Sequence, residues 1–104
     1  MYLKIVKNKG LIVMNIPQIT DIDTAISIYY RYPEIGTKEI ERLFNKHSKS
    51  TISRLKKLAQ RCMIEENIYS HGLYKVNTEC AYKAWGLNIQ DLEKRRCKLQ
   101  KLGL

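Results

Sequence analysis

Apolar residues recur along this chain with two different periods. Residues 1–17 are rich in Ile, Val, Leu and Tyr and hold Asn8-Lys9-Gly10 at their centre. That pattern predicts an N-terminal β-hairpin, two short strands around a glycine-ended turn, closed by Pro17. From Asp21 the period becomes helical: Ile22, Ala25, Ile26 and Tyr29 stand at i, i+3, i+4 and i+7. Asp21 and Asp23 suit the positive end of that helix, and Tyr32-Pro33 stops it. A second, short helix opens at Gly36-Thr37 and carries Ile40, Leu43 and Phe44 on one face. After Asn45-Lys46-His47, Ser48 is placed to cap a third helix reaching about Cys62, with Ile52, Leu55, Leu58, Ala59 and Cys62 aligned.

The pattern then changes again. Ile64 to Tyr69 and Leu73 to Asn77 read as two strands of a hairpin. A three-residue loop, Ser70-His71-Gly72, puts Ile68, Tyr74 and Val76 on a common face and sets Gly72 where a positive φ is needed. Thr78 is expected to cap a helix ending at Trp85-Gly86, since glycine suits a helix C-terminus. Asn88 caps a last helix, with Asp91 at its third position and Leu87 and Leu92 placed as a hydrophobic staple. The expected organisation is one domain over 1–104: the strand hairpin 1–17, a core over 21–77 and C-terminal helices over 78–102.

Composition narrows the classes. In 104 residues, 44% apolar, Lys plus Arg number 19 and Asp plus Glu 10, a net charge of +9. So strong a positive charge on a small globular chain points to a polyanionic partner. The longest aliphatic run, Leu11 to Met14, is four residues, far below the roughly 20 of a membrane helix and too short for a secretory signal. Cys62, Cys80 and Cys97 are 18 and 17 residues apart, without the close pairing of a zinc knuckle or redox motif. They read as free thiols in a reducing cytoplasm, and no metal or cofactor is expected. Glycine-rich phosphate loops, HExxH and GxSxG are absent from the sequence, and Glu65-Glu66, adjacent on an expected strand, would face opposite ways. The expectation is a protein that is not an enzyme.

The third helix carries the most information. At 100° per residue its apolar side is opposed by Lys49, Ser50, Ser53, Lys57 and Gln60, flanked by Arg54 and Arg61. Hydroxyls and an amide among long cations suit a major groove, where short polar groups read base edges and Lys or Arg neutralise phosphates. Between Arg42 and Met63 stand seven cations (Arg42, Lys46, Lys49, Arg54, Lys56, Lys57, Arg61) and no acid. Solvated helix faces ordinarily mix signs, because i,i+4 ion pairs are favourable and like charges are not. Thr51, at the edge of the apolar side, suits a cap or the core as well as a phosphate. His71 and Lys75, at the expected hairpin tip, are the outlying candidates for backbone contact.

The run Thr37-Lys38-Glu39-Ile40, followed by Ser50-Thr51-Ile52-Ser53-Arg54-Leu55-Lys56-Lys57-Leu58, resembles winged helix-turn-helix regulators. Ile64 matches the isoleucine that ends their recognition-helix motif. Val76-Asn77-Thr78-Glu79-Cys80-Ala81 is similar to the step from wing to next helix in the multiple-antibiotic-resistance-regulator group. The likeness covers about residues 21–85 and departs from the pattern at Cys62 and Cys80, where those families carry glycine. It implies a mainly α fold with small β: a three-helix core plus a β-hairpin wing. It also implies sequence-specific binding of double-stranded DNA in transcriptional regulation, with a recognition helix over about 48–62. In the last helix Ile89, Leu92, Leu99 and Leu102 form a narrow seam broken by Arg96, which suits either a homodimer contact or packing on the chain's own core. A winged-helix module that binds protein instead of DNA is the alternative, kept open by the N-terminal hairpin.

Overall fold

The computed structural model describes residues 16–45, 47–72 and 74–103. The N-terminal hairpin expected over 1–17 falls almost wholly outside these residues. Five helices hold 64% of the described chain and two short strands form its sheet, so the fold is mainly α with little β. In order these are α1 (Ile22–Arg31), β1 (Glu34–Ile35), α2 (Thr37–Phe44), α3 (Lys49–Glu65), β2 (Val76–Asn77), α4 (Thr78–Ala84) and α5 (Ile89–Lys101).

The local signals behave as their chemistry requires. Asp21 caps α1 by accepting from the Thr24 amide, and Tyr32 before Pro33 leaves the helical region. Ser48 caps α3 through the Thr51 amide, and Asn88 caps α5 through the Asp91 amide. Between α2 and α3 the chain reverses through Asn45 in the left-handed region, φ 64°, a conformation asparagine tolerates better than most residues. Gly86, φ +74°, follows the end of α4 as expected of a C-terminal glycine. Thr78, however, is not the cap of α4. Asn77 takes that role, accepting from the Cys80 amide at 2.9 Å, while Thr78 is buried and donates its hydroxyl to the Tyr32 carbonyl at 2.5 Å.

The expected hairpin over 64–77 does not form. Helix α3 runs three residues past Cys62 and takes up Ile64 and Glu65, which the pattern assigned to a strand. Among the described residues β2 pairs with β1, antiparallel, with Glu34 opposite Asn77 and Ile35 opposite Val76. Ile35 and Val76 are fully buried, so this ladder serves the core. Tyr74 does not share a face with Val76; it is 78% exposed. Left-handed backbone falls at Asn67 and Tyr74, not at Gly72. A Cβ at 72 would lie 2.7 Å from Lys75 Cδ and 3.2 Å from Glu34 Oε1, so a larger residue there would displace the exposed lysine side chain and crowd the Glu34 carboxylate.

Helix α4 sits at the centre of the packing. Its inner face carries Cys80, Ala81 and Tyr82, with Trp85 just beyond its end, all buried. Trp85 meets Phe44 edge to face at 5.3 Å and donates its indole N–H to the Leu55 carbonyl of α3 at 2.9 Å. Tyr82 donates its hydroxyl to the Ala25 carbonyl of α1 at 2.6 Å. Large aromatic surface and a satisfied polar tip thus join three helices. Helix α5 lies along α1, with Leu92 buried and Ile89 partly so. Tyr30 donates to Glu93 at 3.1 Å, and Arg96 pairs with Asp23 at 3.2 Å. The arginine that interrupts the apolar seam therefore faces a carboxylate of its own domain. No helix among the described residues is long and apolar enough to cross a membrane.

Removing a polar tip tests this arrangement. Tyr82→Phe deletes one buried hydrogen bond and is expected to lower stability by about 1–3 kcal/mol, and Trp85→Phe, which also shrinks the buried ring and leaves a cavity, should cost more. In a chain of this size that is a fall in melting temperature of about 4 °C or more, read by thermal unfolding.

Candidate nucleic-acid interface

The outward side of α3 is assembled by the burial of its inward side. Ile52, Leu55, Ala59 and Met63 are buried against α4 and β2, which leaves the residues half a turn away in solvent. Lys49, Ser50, Ser53, Arg54, Lys57, Gln60 and Arg61 are all exposed. They form one continuous polar face along α3, a helix of 17 residues. None of its cations forms an ion pair with a described residue; the two pairs are Lys83–Glu66 and Arg96–Asp23, both elsewhere. From Lys49 to Arg61 the charges of this face are therefore all positive and unpaired among the described residues, and Glu65, exposed one turn beyond Arg61, is the acid at the end of the helix. Lys46 lies outside the described residues.

Not every expected contact residue stands free on this face. Thr51 is half-buried, and its amide and hydroxyl both lie within hydrogen-bond distance of the Ser48 hydroxyl, at 3.3 and 3.1 Å. The Ser50 hydroxyl is 3.2 Å from the same oxygen, so the first turn of α3 is knit around its cap. Lys56 is half-buried and donates to the Thr37 hydroxyl at 2.7 Å, tying α3 to the start of α2. Ser53, Lys57 and Gln60 remain the central exposed group. Ile64 falls within about 20° of Ser53 around the helix and is 75% exposed. It extends the polar face with an apolar end that the strand assignment concealed.

Beside the middle of α3 a groove of about 290 Å3 brings together residues far apart in sequence. Lys38 from α2, Lys56 from α3 and Lys75 before β2 line it, with Gly36, Thr37, the carboxylate of Glu39 and Tyr74. Lys38 and Tyr74 carry no signal in the sequence, because only the β1–β2 pairing brings the segment around Lys75 to the start of α2. Tyr74 adopts φ 63°, a conformation rare for an aromatic residue, and holds its ring in solvent. Tyr69, 82% exposed, stands in the same connection.

His71 and Lys75 are exposed, and the loop between them is held by a single carboxylate. Glu34 of β1 accepts from the His71 amide at 2.6 Å with one oxygen and from the Gly72 amide at 2.8 Å with the other. The Ser70 hydroxyl closes the turn on the Gly72 carbonyl at 2.8 Å. These backbone donors, His71 first, hold the Glu34 carboxyl below its ordinary value of 4.5. A clamp of side chain to backbone stands where a second ladder was expected.

A different cluster gathers where α3 meets α4. The sequence spacing of Cys62 and Cys80 gave no sign of it, yet their sulfurs and the Glu66 carboxylate all lie within 4.8 Å of one another. The Lys83 ammonium is 2.6 Å from Glu66, and it is the chief cause of that carboxyl's lowered pKa. Burial, reinforced by Cys80 and Glu66, pushes the Cys62 thiol up to about 11. Burial also raises that of Cys80. Cys97 is exposed on α5. No family model, curated protein or solved structure matches the chain.

The Glu34 clamp has a predictable pH signature. Because the folded carboxyl is depressed, its contribution is present above the unfolded value and is lost as pH falls through the folded one. Glu34→Gln is expected to be less stable than the wild type near neutrality and to converge with it in acid. Urea unfolding at both ends of that range checks the sign.

Proposed function

We propose that this chain is a winged helix-turn-helix protein that binds double-stranded DNA, with α3 in the major groove. The observation that carries this reading is the outward face of α3: from Lys49 to Arg61 its charges are all cationic, none in an ion pair with a described residue, and Ser53, Lys57 and Gln60 lie at its centre. Ser53 and Gln60 offer donors and acceptors for base edges. Lys49, Arg54, Lys57 and Arg61 reach outward to phosphates on either side of the groove. Helix α2, the turn at Asn45 and α3 form the helix-turn-helix. The strand pairing β1–β2 and the loop clamped by Glu34 take the place of the wing, much reduced. In this reading the three cations Lys38, Lys56 and Lys75 outweigh the Glu39 carboxylate and draw a phosphate to the side of α3, and His71 lies at the tip of the loop beside them. A regulator of transcription in the cytoplasm is the role such a protein would serve.

A homodimer belongs to the same reading, through the part of α5 that its own domain leaves uncovered. Ile89 and Leu92 are committed to the core, but Leu99 and Leu102 are 38% and 72% exposed. Pairing there would set two α3 helices on successive turns of a duplex. Leu99→Asp with Leu102→Asp is expected to leave the fold intact and give a monomer by sedimentation.

Fluorescence titration against a mixed-sequence duplex at several salt concentrations tests the DNA reading, with a single strand of equal length alongside. Tight, salt-sensitive and duplex-preferring binding is expected. Replacing both Lys57 and Arg61 by alanine should weaken it and reduce the slope of log K against log salt by about 1.8, about 0.9 for each phosphate left without its cation. Binding no tighter than that of any protein of similar positive charge would instead favour a protein partner, with exposed Ile64, Tyr69 and Tyr74 as its docking residues.

A further inference from the structure

Between α3 and α4 the fold converges two thiols and one carboxylate from three positions along the chain. Cys62 and Glu66 stand four residues apart, so the end of α3 and its C-cap present both on one side. Cys80 comes from the first turn of α4, the helix against which α3 packs most extensively. Its side chain is buried, yet it borders, with Glu66 and Lys83, a surface groove of about 510 Å3. The cluster thus has solvent on one side and the helix interface on the other.

The spacing of the three donors matches a definite coordination geometry. In a tetrahedral zinc site, bond lengths of about 2.3 Å to sulfur and about 2.0 Å to a carboxylate oxygen place sulfur and oxygen about 3.5 Å apart. Cys62 Sγ lies 3.5 Å from Glu66 Oε2, and Cys80 Sγ lies 3.9 Å from Glu66 Oε1. Two sulfurs on the same ion would be about 3.8 Å apart, and the whole donor set already lies within 4.8 Å. Small side-chain rotations, without movement of either helix, would bring one oxygen and both sulfurs onto a common centre.

We propose that Cys62, Glu66 and Cys80 form a binding site for a thiophilic divalent cation of the zinc class, with a fourth position open to the groove. The donor set selects the ion. Calcium and magnesium require oxygen ligands, whereas two thiolates favour zinc and its soft or borderline neighbours. Charge also balances: two thiolates and a carboxylate carry −3, and a divalent ion with the Lys83 ammonium supplies +3. Lys83, 2.6 Å from Glu66, orients the carboxylate from outside the site. Around α3 the site lies roughly opposite Ser53, Cys62 being about 180° away, so it is separate from the face proposed for DNA. Its occupancy does not depend on that reading.

Cobalt(II) is the probe, titrated into the full-length chain kept reduced by a phosphine. One equivalent per chain is expected to produce a near-ultraviolet thiolate-to-cobalt charge-transfer band and the intense visible absorption of a tetrahedral ion. Zinc should abolish both by displacement and raise the melting temperature with concentration. Cys62→Ser and Cys80→Ser should each cut the charge-transfer signal at one equivalent to about half or less, and the double variant should abolish it, while Glu66→Gln should weaken cobalt binding by about tenfold or more. Cys97→Ser, which alters the exposed thiol of α5, should bind like the wild type. Melting curves without metal establish that each variant is folded, and Glu66→Gln, altering an exposed side chain, keeps the test valid if Cys80→Ser is not. A wild-type protein without the band, or a band that keeps its full intensity in Cys62→Ser or disappears with Cys97→Ser, overturns the proposal.

Discussion

Two side chains at the end of α4 hold the molecule in register. Tyr82 and Trp85 stand three residues apart, and their polar tips reach backbone carbonyls in different helices, Ala25 in α1 and Leu55 in α3. An aromatic ring alone would allow the helices to slide, because burial of apolar area has no direction. A hydrogen bond to one carbonyl fixes a position along each helix, and leaving its buried donor unpaired would cost more than the bond contributes. Residues 82 and 85 therefore decide how α1 and α3 sit relative to one another.

The orientation of α3 follows. With Leu55 anchored to Trp85 and with Ala59 and Met63 against the core, the helix has no freedom to rotate about its axis. Its opposite side must face solvent, and that side is where Ser53, Lys57, Gln60 and the flanking arginines lie. Thr78 contributes from the other direction. It fastens the end of α1 to the start of α4 through the Tyr32 carbonyl, which no helical amide satisfies after Pro33. The short β1–β2 ladder continues from that junction and carries Lys75 beside Lys38 and Lys56.

Most helices were legible because their signals are local. Ser48 and Asn88 cap the neighbouring amides they were expected to cap, Asp21 stands at the positive end of α1 and caps it as well, and the 3.6-residue period of Ile22, Ala25, Ile26 and Tyr29 is a property of one segment. The hairpin over 64–77 failed for the same reason in reverse. Alternation within Ile64–Tyr69 was compatible with a strand, but strands need partners, and the helical hydrogen bonds of α3 continue through Glu65. The partner of Val76 lies about 40 residues earlier in the chain, at Ile35, in a two-residue segment with too little sequence to carry a period.

The amino-acid sequence by itself determined the helices, the caps at Ser48 and Asn88 and the cationic run of α3 from Lys49 to Arg61, because each rests on contacts within a few residues of chain. Tertiary structure alone decided which strand pairs with which and that Glu34 holds the loop at His71. It also decided that Arg96 of α5 meets Asp23 of α1, and that Cys62, Glu66 and Cys80 come together. Each of these joins groups that chain distance separates and packing brings within a few ångströms. Periodicity records which way a side chain points; only the packing of one helix on another supplies what it meets.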